Sequence, residues 1–167
     1  VNIDPSLDSL RTDNKKYIHI KIPIDGLDSA KRIIKVIKES FPDKKLNSIV
    51  NLSRESITKN ETIIINEDDV MKNINVQIVG LNHLIDQLIN CHNFNNFSII
   101  HLGSLGSRLV SHQSVLYHYL KGAIESASKA LAFKLAKHNV RSNVIRCGLV
   151  KDPLFKLSDK QIKVEKK

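Results

Sequence analysis

Aromatic residues are scarce. They make up 5% of the 167 residues and do not alternate with the basic ones, so no stacking platform for nucleic-acid bases is visible. The formal net charge of +9 comes from lysines spread along the chain, at Lys15 and Lys16, Lys31 to Lys38, Lys44 and Lys45, and the tail KQIKVEKK. That spread reads as a solvated surface, and no nucleic-acid partner is expected. The same charge suits an anionic small ligand. No apolar run approaches the length of a membrane span, and no basic-then-apolar leader pattern opens the chain, so no membrane association is expected. The two cysteines, Cys91 and Cys147, lie far apart without metal-ligand spacing, and the seven histidines show no metal pairing. A cytoplasmic, reducing setting and no bound metal are the simplest account.

What is present is an ordinary globular composition, 41% apolar and 26% charged, in a chain long enough for one domain over 1–167. Strand-like and helix-like segments alternate. YIHIKIPI (17–24) is β-branched and alternating, a strand; 28–41 places Ile33, Ile34, Ile37 and Phe41 at helical spacing, capped by Asp28 or Ser29. A short apolar strand follows at 46–52. The run Ile63 to Ile65 fits either a strand or a loop leading into a helix. Positions 74, 78, 81, 85 and 88 form one apolar stripe on a helix over 69–93. FSIIHLGS (97–104) is a buried strand running into a Gly-Ser loop. The longest helix spans 114–139, with Leu120, Ile124, Ala127, Leu131 and Leu135 on one face, and 140–150 is a strand ending at a glycine. Residues 153–167 form a polar tail. This order predicts an α/β, doubly wound parallel sheet with helices on both faces, which binds ligands at the carboxyl ends of its strands.

Ser104 falls just past such a strand end. Thirteen residues later Tyr117 opens a helix, and Lys121 follows it on the same helix face. An ammonium beside a phenol favours the phenolate, and a nearby hydroxyl can orient a carbonyl, so the three suit proton transfer between a carbonyl and an alcohol. A tyrosine four residues before a lysine is weak by itself. Tyr119 could serve as the phenol equally well, though it has no lysine four residues on. His101 and His118 read as structural or exposed, Cys147 as a small buried residue beside the cleft, and Arg54 as a surface arginine.

With these residues in view, the chain resembles the short-chain dehydrogenase/reductase family over nearly all its length. The resemblance runs through IIHLGS, INVQIVG (74–80) and YHYLKGAIESASKALAFKLAKHNVRSNVIRCGLV (117–150). It implies an NAD(P)-dependent oxidoreductase with Tyr117 as general acid/base. Lys121 would favour the phenolate and bond the nicotinamide ribose, Ser104 would position the substrate carbonyl, and Asn75 would support the lysine through a water. Cofactor contacts are implied at Asp25, Asn51, Gly148 and Val150, and at Asp4, where an acid would favour NAD over NADP. Asp4 fits a capping or turn role before Pro5 equally well. The substrate would be a small carbonyl or alcohol. A homodimer or homotetramer would form through helices 69–93 and 114–139, where Gly122, Ala123, Ser126, Ala127 and Ala130 permit close packing.

The pattern also breaks. The family's glycine-rich βα unit, which brings a pyrophosphate to a helix N-terminus, has no counterpart. In NLSR (51–54) Arg54 occupies a glycine position, and Cys147-Gly148 replaces Pro-Gly, with Asp152 beyond it. Two explanations follow: a piece of a longer polypeptide whose first βα unit lies elsewhere, or a homologue that keeps the fold as a non-catalytic assembly subunit.

Overall fold

The computed structural model describes residues 2–3, 19–20, 22–42, 45–53, 57, 63–91, 96–111 and 113–148. Five strands and four helices are described: β1 Asn2–Ile3, β2 His19–Ile20, α1 Leu27–Ser40, β3 Ser48–Asn51, α2 Glu67–Ile74, α3 Gly80–Cys91, β4 Ser98–Ser104, α4 Val115–Leu135 and β5 Arg141–Cys147. A π-helical turn, Asn75–Val79, joins α2 to α3. All strand pairing is parallel, in a two-stranded β1–β2 sheet and a three-stranded β3–β4–β5 sheet. This is the α/β, Rossmann-like architecture that the alternating segments imply, with three strands in the larger sheet among the described residues.

One cluster holds these pieces together. Ile33 and Ile34 of α1, Leu81, Leu84, Ile85 and Leu88 of α3, and Phe97 and Ile99 all contribute. Burying side chains of this size supplies roughly 1.5–3 kcal/mol each. Along β4, Ile99, His101 and Gly103 are buried while Leu102 is partly exposed. In-register parallel neighbours share a face, so Ser142, Val144 and Arg146 of β5 lie on the same side. α3 and α4 cover that side. Among the described residues, helices cover this one face, and the other carries Val50, Leu102 and Ile145. Where α4 crosses the sheet the packing is polar: Ser142 Oγ lies 3.1 Å from His101 Nε2 and 2.9 Å from Ser128 Oγ. Burial holds the His101 pKa below its usual value, because a charged imidazole would lose its hydration there.

Several boundaries differ from the sequence reading. α1 is capped by Gly26 rather than Asp28 or Ser29; Ser29 Oγ instead accepts from the Asp25 and Gly26 amides and donates to the Gly26 carbonyl. The Ile63–Ile65 run is loop, and Asn66 caps α2 through a bond from the Asp69 amide. The stripe on 69–93 does not run straight. The π-helical turn inserts extra residues per turn, so Asn73 and Gln77 take buried positions while Ile74 and Ile78 are half-buried. α4 ends by a turn in which Asn139 adopts the left-handed conformation, φ 55°, turning the chain into β5. No helix among the described residues is long and apolar enough to cross a membrane.

Candidate active site

Three elements meet at the carboxyl end of β4. Ser104 ends the strand in extended conformation, and its Oγ accepts from the Gly106 amide at 3.1 Å, capping the tight turn Leu105–Ser107. One of the hydroxyl's two acceptor sites is thus engaged. Among the described residues no group takes its proton, which leaves the O–H for a ligand oxygen. Ser114 caps α4 by accepting from the Tyr117 amide, so the helix starts beside the serine turn.

Gly106 shows how close the two lie. A Cβ there would stand 2.9 Å from Tyr117 Cε1 and 3.4 Å from Ser104 Oγ, so only glycine lets turn and ring meet. Lys121 Nζ donates to the Leu102 carbonyl at 3.1 Å and lies 5.8 Å from the centre of the Tyr117 ring. Tyr117 is half-buried, whereas Tyr119 is 64% exposed and points away, which separates the two candidate phenols. The end of β5 joins the same place: Cys147 pairs with Ser104, and a Cβ on Gly148 would touch Leu105.

The other candidates lie elsewhere. Asn51 ends β3, buried, with Oδ1 accepting from the Ser53 amide and hydroxyl and Nδ2 donating to the Gln77 carbonyl; it ties β3 to the π-helical turn. Asn75 opens that turn and is half-buried. Asp25 is exposed in the turn before α1. Asp4, Val150, Arg54 and Asp152 lie outside the described residues, as does the side chain of Cys91. Cys147 is a half-buried free thiol. No group of three or more His, Cys, Asp or Glu among the described residues could hold a metal ion.

A family profile described as enoyl-(acyl carrier protein) reductase matches residues 5–167, nearly the whole chain. The chain belongs to the short-chain dehydrogenase/reductase family. No curated protein matches it. Among solved structures, a short-chain dehydrogenase from Leptospira borgpetersenii with bound NAD+ is 17% identical with a TM-score of 0.80, over 98% of this chain and 64% of that one. A short-chain dehydrogenase family protein from Francisella tularensis is 25% identical, TM-score 0.73, over 92% and 60%. The NADH enoyl-[acyl-carrier-protein] reductase of Aquifex aeolicus is 25% identical, TM-score 0.70, over 81% and 54%. This family member therefore spans between 54% and 64% of the length of these three.

Two residues of the chain, Gln77 and Glu125, escaped the sequence reading. Gln77 is buried in the π-helical turn; its Nε2 donates to Asn73 Oδ1 at 2.7 Å, and its Oε1 has no hydrogen-bond partner among the described residues. His118, read from the sequence as structural or exposed, takes the structural role: its Nδ1 donates to the Gly106 carbonyl at 2.6 Å, bracing the serine turn. Glu125, one turn past Lys121, is 6% exposed and is bound by Arg146, Arg108 and Ser107.

Bonds from Arg146 first, and from Ser107, hold the Glu125 carboxyl down at about 2, below its ordinary 4.5. A carboxyl depressed in the fold stabilises it above the unfolded value and loses that contribution as the pH falls. Urea midpoints of the chain should therefore drop between pH 4.5 and about 2. Glu125→Gln should remove most of the Glu125-linked slope in that window; an unchanged slope would show that other carboxylates set it.

Proposed function

We propose that the chain carries out the proton-transfer part of a nicotinamide-dependent oxidoreduction between a carbonyl and an alcohol. The observation that carries this is the convergence of Ser104, Tyr117 and Lys121 at one strand end, with the serine turn packed on the phenol ring. In the reducing direction the Tyr117 hydroxyl donates its proton to the substrate oxygen; in the oxidising direction the phenolate accepts it from the alcohol. Ser104 Oγ–H holds that oxygen. Lys121, anchored to the Leu102 carbonyl, sets a positive charge beside the phenol.

A nicotinamide cofactor fits this site at one end. When bound it supplies or takes the hydride. Lys121 and the exposed Gly148 at the end of β5 could hold its nicotinamide ribose half. The pyrophosphate half has no cradle among the described residues. The start of α1 already satisfies the Asp25 and Gly26 amides with Ser29 and carries Asp28 in its first turn, and the start of α2 carries Glu67, Asp68 and Asp69. Acids there repel an anion. NAD is favoured over NADP only through Asp4. Reduction of an enoyl thioester is a second reading, which rests on the description of the matching profile and on the Aquifex likeness.

Self-association through α4 completes the reading. Tyr119, Ala123, Ser126, Ala130 and Phe133 fall on one side of the helix; Tyr119, Ser126, Ala130 and Phe133 are exposed, Phe133 at 86%. A small-residue stripe flanked by two exposed aromatics suits close helix packing against a second copy.

The deciding experiment is a calorimetric titration of the full chain with NADH and then NADPH. Saturable binding, with Kd on the order of hundreds of micromolar without a pyrophosphate cradle, is expected, tighter for NADH. No binding to a folded sample would overturn the cofactor reading and favour the non-catalytic assembly subunit.

A further inference from the structure

Beyond the Tyr117 ring against Gly106 and the His118 bond to the Gly106 carbonyl, the turn that follows Ser104 has little apolar anchorage. Leu105 is 44% exposed, Leu109 60% and Val110 97%. A segment with so little burial should open readily, yet Ser104 Oγ is useful only if its position is fixed to within a few tenths of an ångström. Something polar must hold it.

Glu125 stands where three pieces of chain meet. Tyr117, Lys121 and Glu125 follow one another at four-residue spacing along one face of α4. Oε1 of Glu125 accepts from Arg146 Nε at 2.5 Å and is bonded by Ser107 Oγ; Oε2 accepts from Arg146 Nη2 at 2.8 Å and Arg108 Nε at 3.3 Å. Ser107 and Arg108 belong to the serine turn, and Ser107 Oγ also lies 2.8 Å from the Ser104 carbonyl. Arg146 precedes Cys147, the β5 residue in register with Ser104. One buried carboxylate thus joins the helix of Tyr117 and Lys121 to the turn of Ser104 and to the end of β5. A neutral side chain could not accept four donors, three of them from guanidinium groups.

We propose that Glu125 is a positioning residue for the reactive set, fixing the Ser104 turn and the end of β5 against the helix that bears Tyr117 and Lys121. This rests on the reading of those three residues given above. Glu125 touches no reacting atom; it acts through Ser107, Arg108 and Arg146.

The test uses the full chain and Glu125→Gln, which keeps the shape and removes the charge. Hydrogen exchange of the Gly106 amide, the one that bonds Ser104 Oγ, reports the turn, and the Ile99 amide of β4 reports the core. Gly106 should exchange at least about ten-fold faster with Ile99 unchanged. In carbonyl reduction with NADH, kcat should fall by about 10- to 100-fold while KM for NADH stays within about three-fold. Unchanged exchange at Gly106 overturns the proposal whatever the turnover, and so does a loosened turn with unchanged kcat. If the parent chain turns over no carbonyl, the catalytic reading falls, and exchange at Gly106 alone then decides whether Glu125 holds the turn. Should Glu125→Gln fail to fold, Arg146→Gln removes the two-pronged partner, leaves Ser107 and Arg108 in place, and should move the same readouts in the same direction. Arg141→Gln, at the opposite end of β5 where its side chain bonds Ser98, should move neither.

Discussion

Tyr117→Phe should lower carbonyl reduction by about a thousand-fold while leaving NADH affinity within about three-fold. The substitution removes one oxygen and keeps the ring that packs beside Gly106, so the fold and the serine turn lose little. What disappears is the group proposed to give or take the proton. Lys121 would remain on the Leu102 carbonyl and Ser104 would remain capped by the Gly106 amide, so the variant isolates proton transfer from positioning. Comparing kcat and KM for the two proteins at several pH values is the measurement. A variant with full turnover would remove Tyr117 from the chemistry and turn attention to a substrate whose reduction needs no phenol. A variant that lost cofactor affinity along with turnover would instead make the phenol a binding group. Tyr119→Phe is the natural companion, since its exposed ring lies away from the serine turn and should leave turnover unchanged.

The placement of Ser104, Tyr117 and Lys121 was legible in the sequence because these residues lie on regular elements. Tyr117 and Lys121 are one turn apart on a helix and Ser104 ends a strand, so periodicity places them, while the roles proposed for them rest on the family resemblance. Glu125 obeys the same periodicity, one turn further, and could have been found as a carboxylate on the face of α4 that also bears Leu120 and Ile124. Its partners could not, because Arg108 lies in a turn and Arg146 in another strand. Gln77 was hidden for a different reason. The π-helical turn shifts the helix face between Asn75 and Val79, and a stripe drawn at constant period points to Ile74 and Ile78 in place of Asn73 and Gln77. The cap of α1 was misplaced by proximity: Ser29 does contribute, but from the third helical position, reaching back to the amides of Asp25 and Gly26. The layered α/β order needed no such detail, since strand and helix periods differ enough to be told apart over whole segments.

Two glycine-to-alanine substitutions in helices should move stability in opposite directions. Gly80 opens α3, directly after the π-helical turn, and its backbone is pressed on the chain leaving β2. A Cβ there would fall 2.5 Å from the Ile24 carbonyl carbon and 2.9 Å from the Asp25 amide nitrogen, and closer still to the Ile24 oxygen. All three are backbone atoms, so no side chain can swing aside. α3 would have to withdraw from the turn before α1, separating Leu81 and Leu84 from Ile33 and Ile34 in the shared core. Gly80→Ala should therefore cost about 3 kcal/mol, at or above the upper end of ordinary overpacking, and lower Tm by roughly 6–12 °C. Gly122 lies inside α4, where nothing stands within 4 Å of an added Cβ. There alanine only restricts the unfolded chain and favours helix, so Gly122→Ala should raise stability by roughly 0.5–1 kcal/mol. Urea unfolding of both variants beside the parent chain reads the two signs directly. If Gly80→Ala unfolds at the parent midpoint, α3 does not rest on Ile24. If Gly122→Ala is instead destabilised, its Cβ meets a neighbour that this chain alone does not supply, and a second copy packed on α4 becomes the explanation to pursue.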